Sequence, residues 1–130
     1  MRISMRKSEL KIKLSELAFQ VTQNAETEPP FTGEFFDFFE EGVYKCICCD
    51  AELFSSEHKF NSSTGWPSFH SCINEKVIDE VDDNTFGMRR VEVICSNCKA
   101  HLGHVFDDGP KPTFKRYCIN SVALRFIKNE

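Results

Sequence analysis

The sequence predicts a mainly β fold, a small antiparallel domain built as two sheets or a partly closed barrel, with short helices at its N-terminus. Three observations lead there. Apolar residues at helical spacing are confined to the first two dozen positions. From Gly42 onward the pattern changes to short runs of alternating apolar and polar residues broken by turn formers. Two Cys-x-x-Cys pairs, Cys46 with Cys49 and Cys95 with Cys98, stand with 45 residues between them.

Along the chain, Leu10, Leu14, Leu17 and Val21 fall at spacings of four, three and four, which puts them on one side of a helix. Ser8 or Ser15 supplies a cap, so residues 8–23 are expected to form one bent helix or two short ones. Pro29, Pro30 and Gly33 end any helix and make an extended arm. Phe31, Phe35, Phe36, Phe38 and Phe39 put five rings into nine residues. A ring left in water forfeits roughly 1.5 to 3 kcal/mol, so this cluster is expected to pack against the core. Residues 77–81 and 86–94 read as a hairpin through Asp82, Asp83 and Asn84. The last strands are 101–106 and 116–127, the latter rich in β-branched and aromatic residues.

A chain of 130 residues has room for one hydrophobic core, so one domain spanning 1–130 is expected. Sixteen Lys plus Arg against twenty Asp plus Glu give a formal charge of −4, which favours neither nucleic acid nor an anionic membrane as partner. No run approaches the roughly 20 apolar residues needed to cross a bilayer, and residues 1–16 lack a signal-peptide core and cleavage site. The expected location is the cytoplasm and the expected state a monomer. Seven cysteines, an odd number, suit a reducing compartment better than a secreted disulfide scaffold.

The two Cys-x-x-Cys turns each bring two sulfurs close enough for one tetrahedral ion, and together they complete a four-thiolate shell. The expected cofactor is a structural zinc on Cys46, Cys49, Cys95 and Cys98, with Cys48 a bystander inside the first turn. Four protein ligands leave no position for substrate. Reaction chemistry must therefore lie elsewhere.

Cys118 lies in Arg116-Tyr-Cys-Ile-Asn120, where the period of two puts Arg116, Cys118 and Asn120 on one face. A cation two residues away favours the thiolate, which makes Cys118 a candidate nucleophile; the alternative is a small buried core residue. His101 and His104 flank Leu-Gly after the second turn, and a bulge or turn at Gly103 would bring both to one side. They are an acid with its orienting partner, spare metal ligands, or polar groups at a sheet edge. The segment 64–69, Thr-Gly-Trp-Pro-Ser-Phe, suits neither a helix nor a central strand, so Trp66 and Phe69 are either a core plug or an aromatic wall for a ligand.

With these residues in place, the chain resembles the B-type methionine sulfoxide reductases. The matching segments are VTQ at 21–23, TE and PFTGE within 27–34, Tyr44-Lys-Cys-x-x-Cys49, KFNSSTGWPSF at 59–69, CxNC at 95–98, HLGHVFDDGP at 101–110 and RYCINS at 116–121. The resemblance implies antiparallel sheets around the site, a zinc remote from the reaction, and Cys118 as nucleophile. It also implies that His101, His104 and Asn120 line the site and that Trp66, with Phe69 behind it, receives the substrate methyl group. Arg116 and Asp108 are implied as network residues. Many relatives carry a resolving cysteine immediately before GWPSF; here Thr64 stands in that place, and Phe114-Lys115 precedes RYC where a glycine is frequent. Recycling is then expected through Cys72, or directly by thioredoxin or another thiol reductant.

The expected activity is reduction of methionine-R-sulfoxide, free or in proteins, by attack of Cys118 on sulfur, with a histidine, His104 ahead of His101, protonating the oxygen. A sulfenic acid on Cys118 results. Two alternatives stand beside it: a zinc-ribbon-like binding module, disfavoured by the acidic charge, and a redox switch in which Cys118 turns nothing over.

Overall fold

The computed structural model describes residues 7–129. Of the two forms expected, two short helices are present, α1 (Lys7–Lys13) and α2 (Glu16–Asn24), because Ser15 caps the second: its hydroxyl accepts from the Ala18 N–H at 3.1 Å. Leu10, Leu14, Ala18 and Val21 are buried, whereas Leu17 lies on the solvent side despite its spacing. No helix among the described residues is long and apolar enough to cross a membrane.

Among the described residues nine strands follow: β1 (Gly42–Cys46), β2 (Glu52–Ser55), β3 (Lys59–Phe60), β4 (Ser68–Phe69), β5 (Ile78–Asp83), β6 (Arg90–Cys95), β7 (His101–Phe106), β8 (Arg116–Ile119) and β9 (Leu124–Lys128). They form two antiparallel sheets, a small one in the order β2-β1-β9 and a large one in the order β3-β4-β8-β7-β6-β5. The core fills the space between them. Phe54 from the small sheet stacks on Phe69 from the large one at 4.5 Å, and Tyr44 meets Phe69 edge-on at 5.1 Å.

Three sequence expectations need correction. The strand expected over 116–127 is two strands in different sheets, separated by a 3₁₀ turn at Ser121–Ala123 that carries the chain across the core. The hairpin turn lies later than expected: β5 runs through Asp83, and Thr85–Gly87 form a tight turn with Phe86 left-handed and exposed. The phenylalanine cluster is divided. Phe35 is buried against Tyr44, Phe38 and Phe126, whereas Phe31 and Phe39 remain exposed.

Candidate active site

In the large sheet Cys118 on β8 lies directly opposite His104 on β7, and Arg116 opposite Phe106. Directly paired residues project to the same side. Period two on β8 sends Tyr117 and Ile119 the other way, into the core. The face carrying Cys118 therefore also carries His104, Phe106 and Arg116, and through β6 it continues to Glu92 and Arg90. Gly103 is required here, since a Cβ would collide with the Cys118 carbonyl.

Above this face opens a cavity of about 270 Å³, lined by Cys118, His104, Arg116, Phe106, Trp66 and Thr64, among others. Trp66 is fixed at its polar edge: its Nε1–H donates to the Glu28 carbonyl at 3.0 Å. Arg116 lies over the Phe106 ring at 4.4 Å and holds Asp108 through two hydrogen bonds, 2.9 and 3.1 Å. That fork fixes the guanidinium beside the thiol. Burial pushes the Cys118 thiol up; Arg116 and the Thr64 hydroxyl pull it back without cancelling the effect, contrary to the lowering expected from Arg116 alone.

The two histidines reach one side as expected, through a bulge one residue earlier. The β6–β7 register pairs Val93 with Gly103 and Ile94 with His101, which leaves Leu102 as the extra residue. The rings stand 5.5 Å apart. Each is held by its own carboxylate: His104 Nε2 lies 2.8 Å from Asp83 Oδ2, and His101 Nδ1 lies 2.7 Å from Glu92 Oε2. Asp83 also pairs with Arg90 and accepts from Thr85, and these partners, Thr85 first and then His104, hold its carboxyl well below the usual range. Burial holds the His101 ring below its ordinary value. His104 borders the Cys118 cavity; His101 borders an adjoining one of about 370 Å³ that shares Thr27, Arg90 and His104 with it.

Across the molecule the Cys-x-x-Cys turns have matching backbones. Cys46 N–H donates to Ala51 and Asp50 N–H to Cys46; Cys95 N–H donates to Ala100 and Lys99 N–H to Cys95. Asp50 and Lys99 hold equivalent left-handed positions, φ 65° and 66°. All four sulfurs lie within 4.8 Å of one another, and the Cys46–Cys98 and Cys49–Cys95 pairs are 3.6 Å apart. A tetrahedral zinc with Zn–S of about 2.3 Å requires edges of about 3.8 Å. The donor set fits that ion. Cys48 stays outside the tetrad, its sulfur accepting from Gln23 Nε2.

Residues 14–128 match the family model described as the SelR domain. The chain belongs to the SelR domain family. Two relatives, each named peptide methionine sulfoxide reductase MsrB, come from Escherichia coli strains K12 / DH10B and O157:H7. Each is 54% identical over 122 residues, covering 94% of this chain and 89% of its own length.

In this SelR domain the structure gathers Cys118, His104, Arg116, Asn120 and Trp66 around one cavity, with Asp108 behind Arg116 and His101 next door. Two expected residues are not brought there. Phe69 pairs with Tyr117 on the core side of the sheet and is fully buried. Phe106 is instead the second aromatic wall, findable by stepping two residues from His104 along the strand. Cys72 lies beside Tyr117, with Glu75, Glu80 and Lys115, so the sheet separates it from Cys118. Asn120 spends its amide on the fold, Nδ2–H donating to the Leu102 carbonyl and Oδ1 accepting from the Glu28 N–H. Asp83 and Arg90 also belong to the site and no local pattern marks them, while Thr27 and Glu28 stand in a segment shared with the resembled family but were assigned no role there.

Proposed function

We propose that the protein is a peptide-methionine (R)-S-oxide reductase, an oxidoreductase using the Cys118 thiol. The pairing of Cys118 with His104 across neighbouring strands, beneath Trp66, carries this reading. The name of the Escherichia coli relatives supports it.

The Cys118 thiolate attacks the sulfoxide sulfur while His104 protonates the departing oxygen. A sulfoxide oxygen leaves poorly until it is neutralised, and imidazole is the side chain suited to deliver a proton near neutral pH. With Nε2 engaged by Asp83, Nδ1 is the nitrogen left for the substrate. The attack joins Cys118 to the substrate sulfur; the protonated oxygen then passes to the Cys118 sulfur as the S–O and S–S bonds to the substrate break, leaving a sulfenic acid on Cys118 and free methionine, so the substrate sulfur is reduced by two electrons and Cys118 is oxidised by two. The methyl group rests against Trp66 and Phe106, and the proton donor's position then reads the configuration at sulfur.

Recycling takes two external thiol equivalents, from thioredoxin or a small thiol, which leave as a disulfide while water is released. Thr64 has no sulfur to offer and Cys72 lies behind the sheet. A zinc on Cys46, Cys49, Cys95 and Cys98 supplies a cross-link and no chemistry at the cavity. Seven unpaired thiols suit a reducing compartment such as the cytoplasm.

Steady-state turnover of a peptide R-sulfoxide with thioredoxin tests the scheme. Wild type and C72S are expected to turn over at equal rates and C118S not at all; activity in C118S, or loss of thioredoxin-driven turnover in C72S alone, contradicts it.

A further inference from the structure

Glu28 lies in the segment between α2 and β1, and it is fully buried. Carboxylates are rarely placed so unless something is gained from them. Its Oε1 accepts from the Val122 N–H at 3.0 Å, while Oε2 has no hydrogen-bond partner. Its main chain holds two residues that line the reaction cavity, Asn120 and Trp66. The N–H donates to Asn120 Oδ1 at 2.9 Å, and the carbonyl receives the Trp66 indole N–H at 3.0 Å. One residue thus touches an aromatic wall of the cavity, the amide two residues after the nucleophile, and the 3₁₀ turn that follows.

We propose that Glu28 is a positioning residue for the sulfoxide site, its main chain clamping Trp66 and Asn120 while its side chain bolts that clamp to the turn after Cys118. The inference rests on the reading of Cys118 and Trp66 as the reaction site. Apart from Glu28's own bonds, the arm is tied nearby by the Phe31 N–H to the Gly65 carbonyl and the Phe35 N–H to the Ser121 hydroxyl. At Gly33 a Cβ would collide with both Glu28 Oε2 and the Ser121 hydroxyl, so the arm closes directly over the carboxyl.

Burial favours the neutral form of the bolt. It pushes the Glu28 carboxyl up, against the opposing pull of the nearby Val122 and Ser121. Neutrality also suits the nucleophile, because a charge on Glu28 raises the Cys118 thiol. Glutamine, which keeps the acceptor and the shape, should therefore replace glutamate with little loss.

Trp66 is the only tryptophan, so its emission reports the clamp directly. The test compares wild type, E28Q, E28A and G33A in the full chain, reading Trp66 emission together with kcat and KM for a peptide R-sulfoxide. E28Q is expected within about twofold of wild type in kcat/KM, with the same emission. E28A is expected to shift the emission to longer wavelength and lose on the order of 100-fold in kcat/KM, as a misplacement of about 1 Å in a reaction site can do. G33A, which displaces the carboxyl while leaving Glu28 in the chain, should reproduce the emission change and stands in if E28A does not fold. Wild-type emission and kcat/KM in a folded E28A, or in G33A, overturn the clamp. E28Q as damaged as E28A overturns the neutral bolt. If wild type itself yields no methionine, the proposed activity fails, and the emission comparison still decides the clamp.

Discussion

At the scale of single residues, the site is a contest over charge at Cys118. Burial raises the thiol, and Arg116 and Thr64 answer it. Removing Arg116 leaves burial less opposed, so R116Q should move the midpoint of iodoacetamide alkylation further upward in pH. Below that midpoint thiolate falls tenfold per pH unit, so the rate near neutral pH should fall with it. His104 carries the proton in this scheme, and H104Q should lower kcat by about 10² to 10⁴. Its alkylation rate should stay within a few-fold of wild type, which separates loss of the acid from collapse of the site. Glu28 gives a test on stability. Its folded pKa is raised above the ordinary 4.5, so the folded chain holds that proton more tightly than the unfolded one. The stability this provides is complete below about 4.5 and is lost as pH rises through the raised value. E28Q has no such loss, so its melting temperature relative to wild type should climb between pH 4 and pH 8.

At the scale of elements, the sheet's register decides which residues meet. Paired Cys-x-x-Cys turns, alternation in RYCIN and the HLGH segment were legible because each is a local pattern with a geometric consequence. The side of the sheet for Phe69 was not. Read as part of a Gly- and Pro-containing loop, it looked free to join Trp66, but β4 pairs Phe69 with Tyr117 and turns it into the core. Asp83 and Arg90 reach His104 and its cavity only through the pairing of β5 with β6 and of β6 with β7, long-range facts that no spacing in the sequence encodes. The two aromatic positions give opposite expectations. F69A should cost about 3 to 5 kcal/mol in a denaturant titration and leave the folded fraction active. F106A should instead raise KM or lower kcat with a smaller stability loss, since the ring borders a cavity.

At the scale of the whole molecule, the metal turns and the reaction cavity divide the work. Cys46 ends β1 in the small sheet and Cys95 ends β6 in the large one, so an ion held by the four thiolates would tie the two sheets together at a point separate from the cavity's lining. Metal binding that exists only in the folded chain contributes folding free energy, up to roughly 10 kcal/mol or more in small zinc domains. C98S should therefore lose its zinc and melt well below wild type, while whatever remains folded keeps the Cys118 chemistry. Metal analysis beside a melting curve checks this, and a full equivalent of zinc with an unchanged melting temperature would refute the four-thiolate site. The step on which this chemistry turns is transfer of oxygen from an R-sulfoxide to Cys118. It is tested most directly by mixing the reduced protein with one equivalent of peptide R- or S-sulfoxide, without reductant, and mapping the protein by mass after trapping sulfenic acid. One methionine per protein is expected from the R epimer, with the trapping adduct on Cys118, and neither from the S epimer. Methionine formed with Cys118 unmodified, or equal consumption of both epimers, would contradict it.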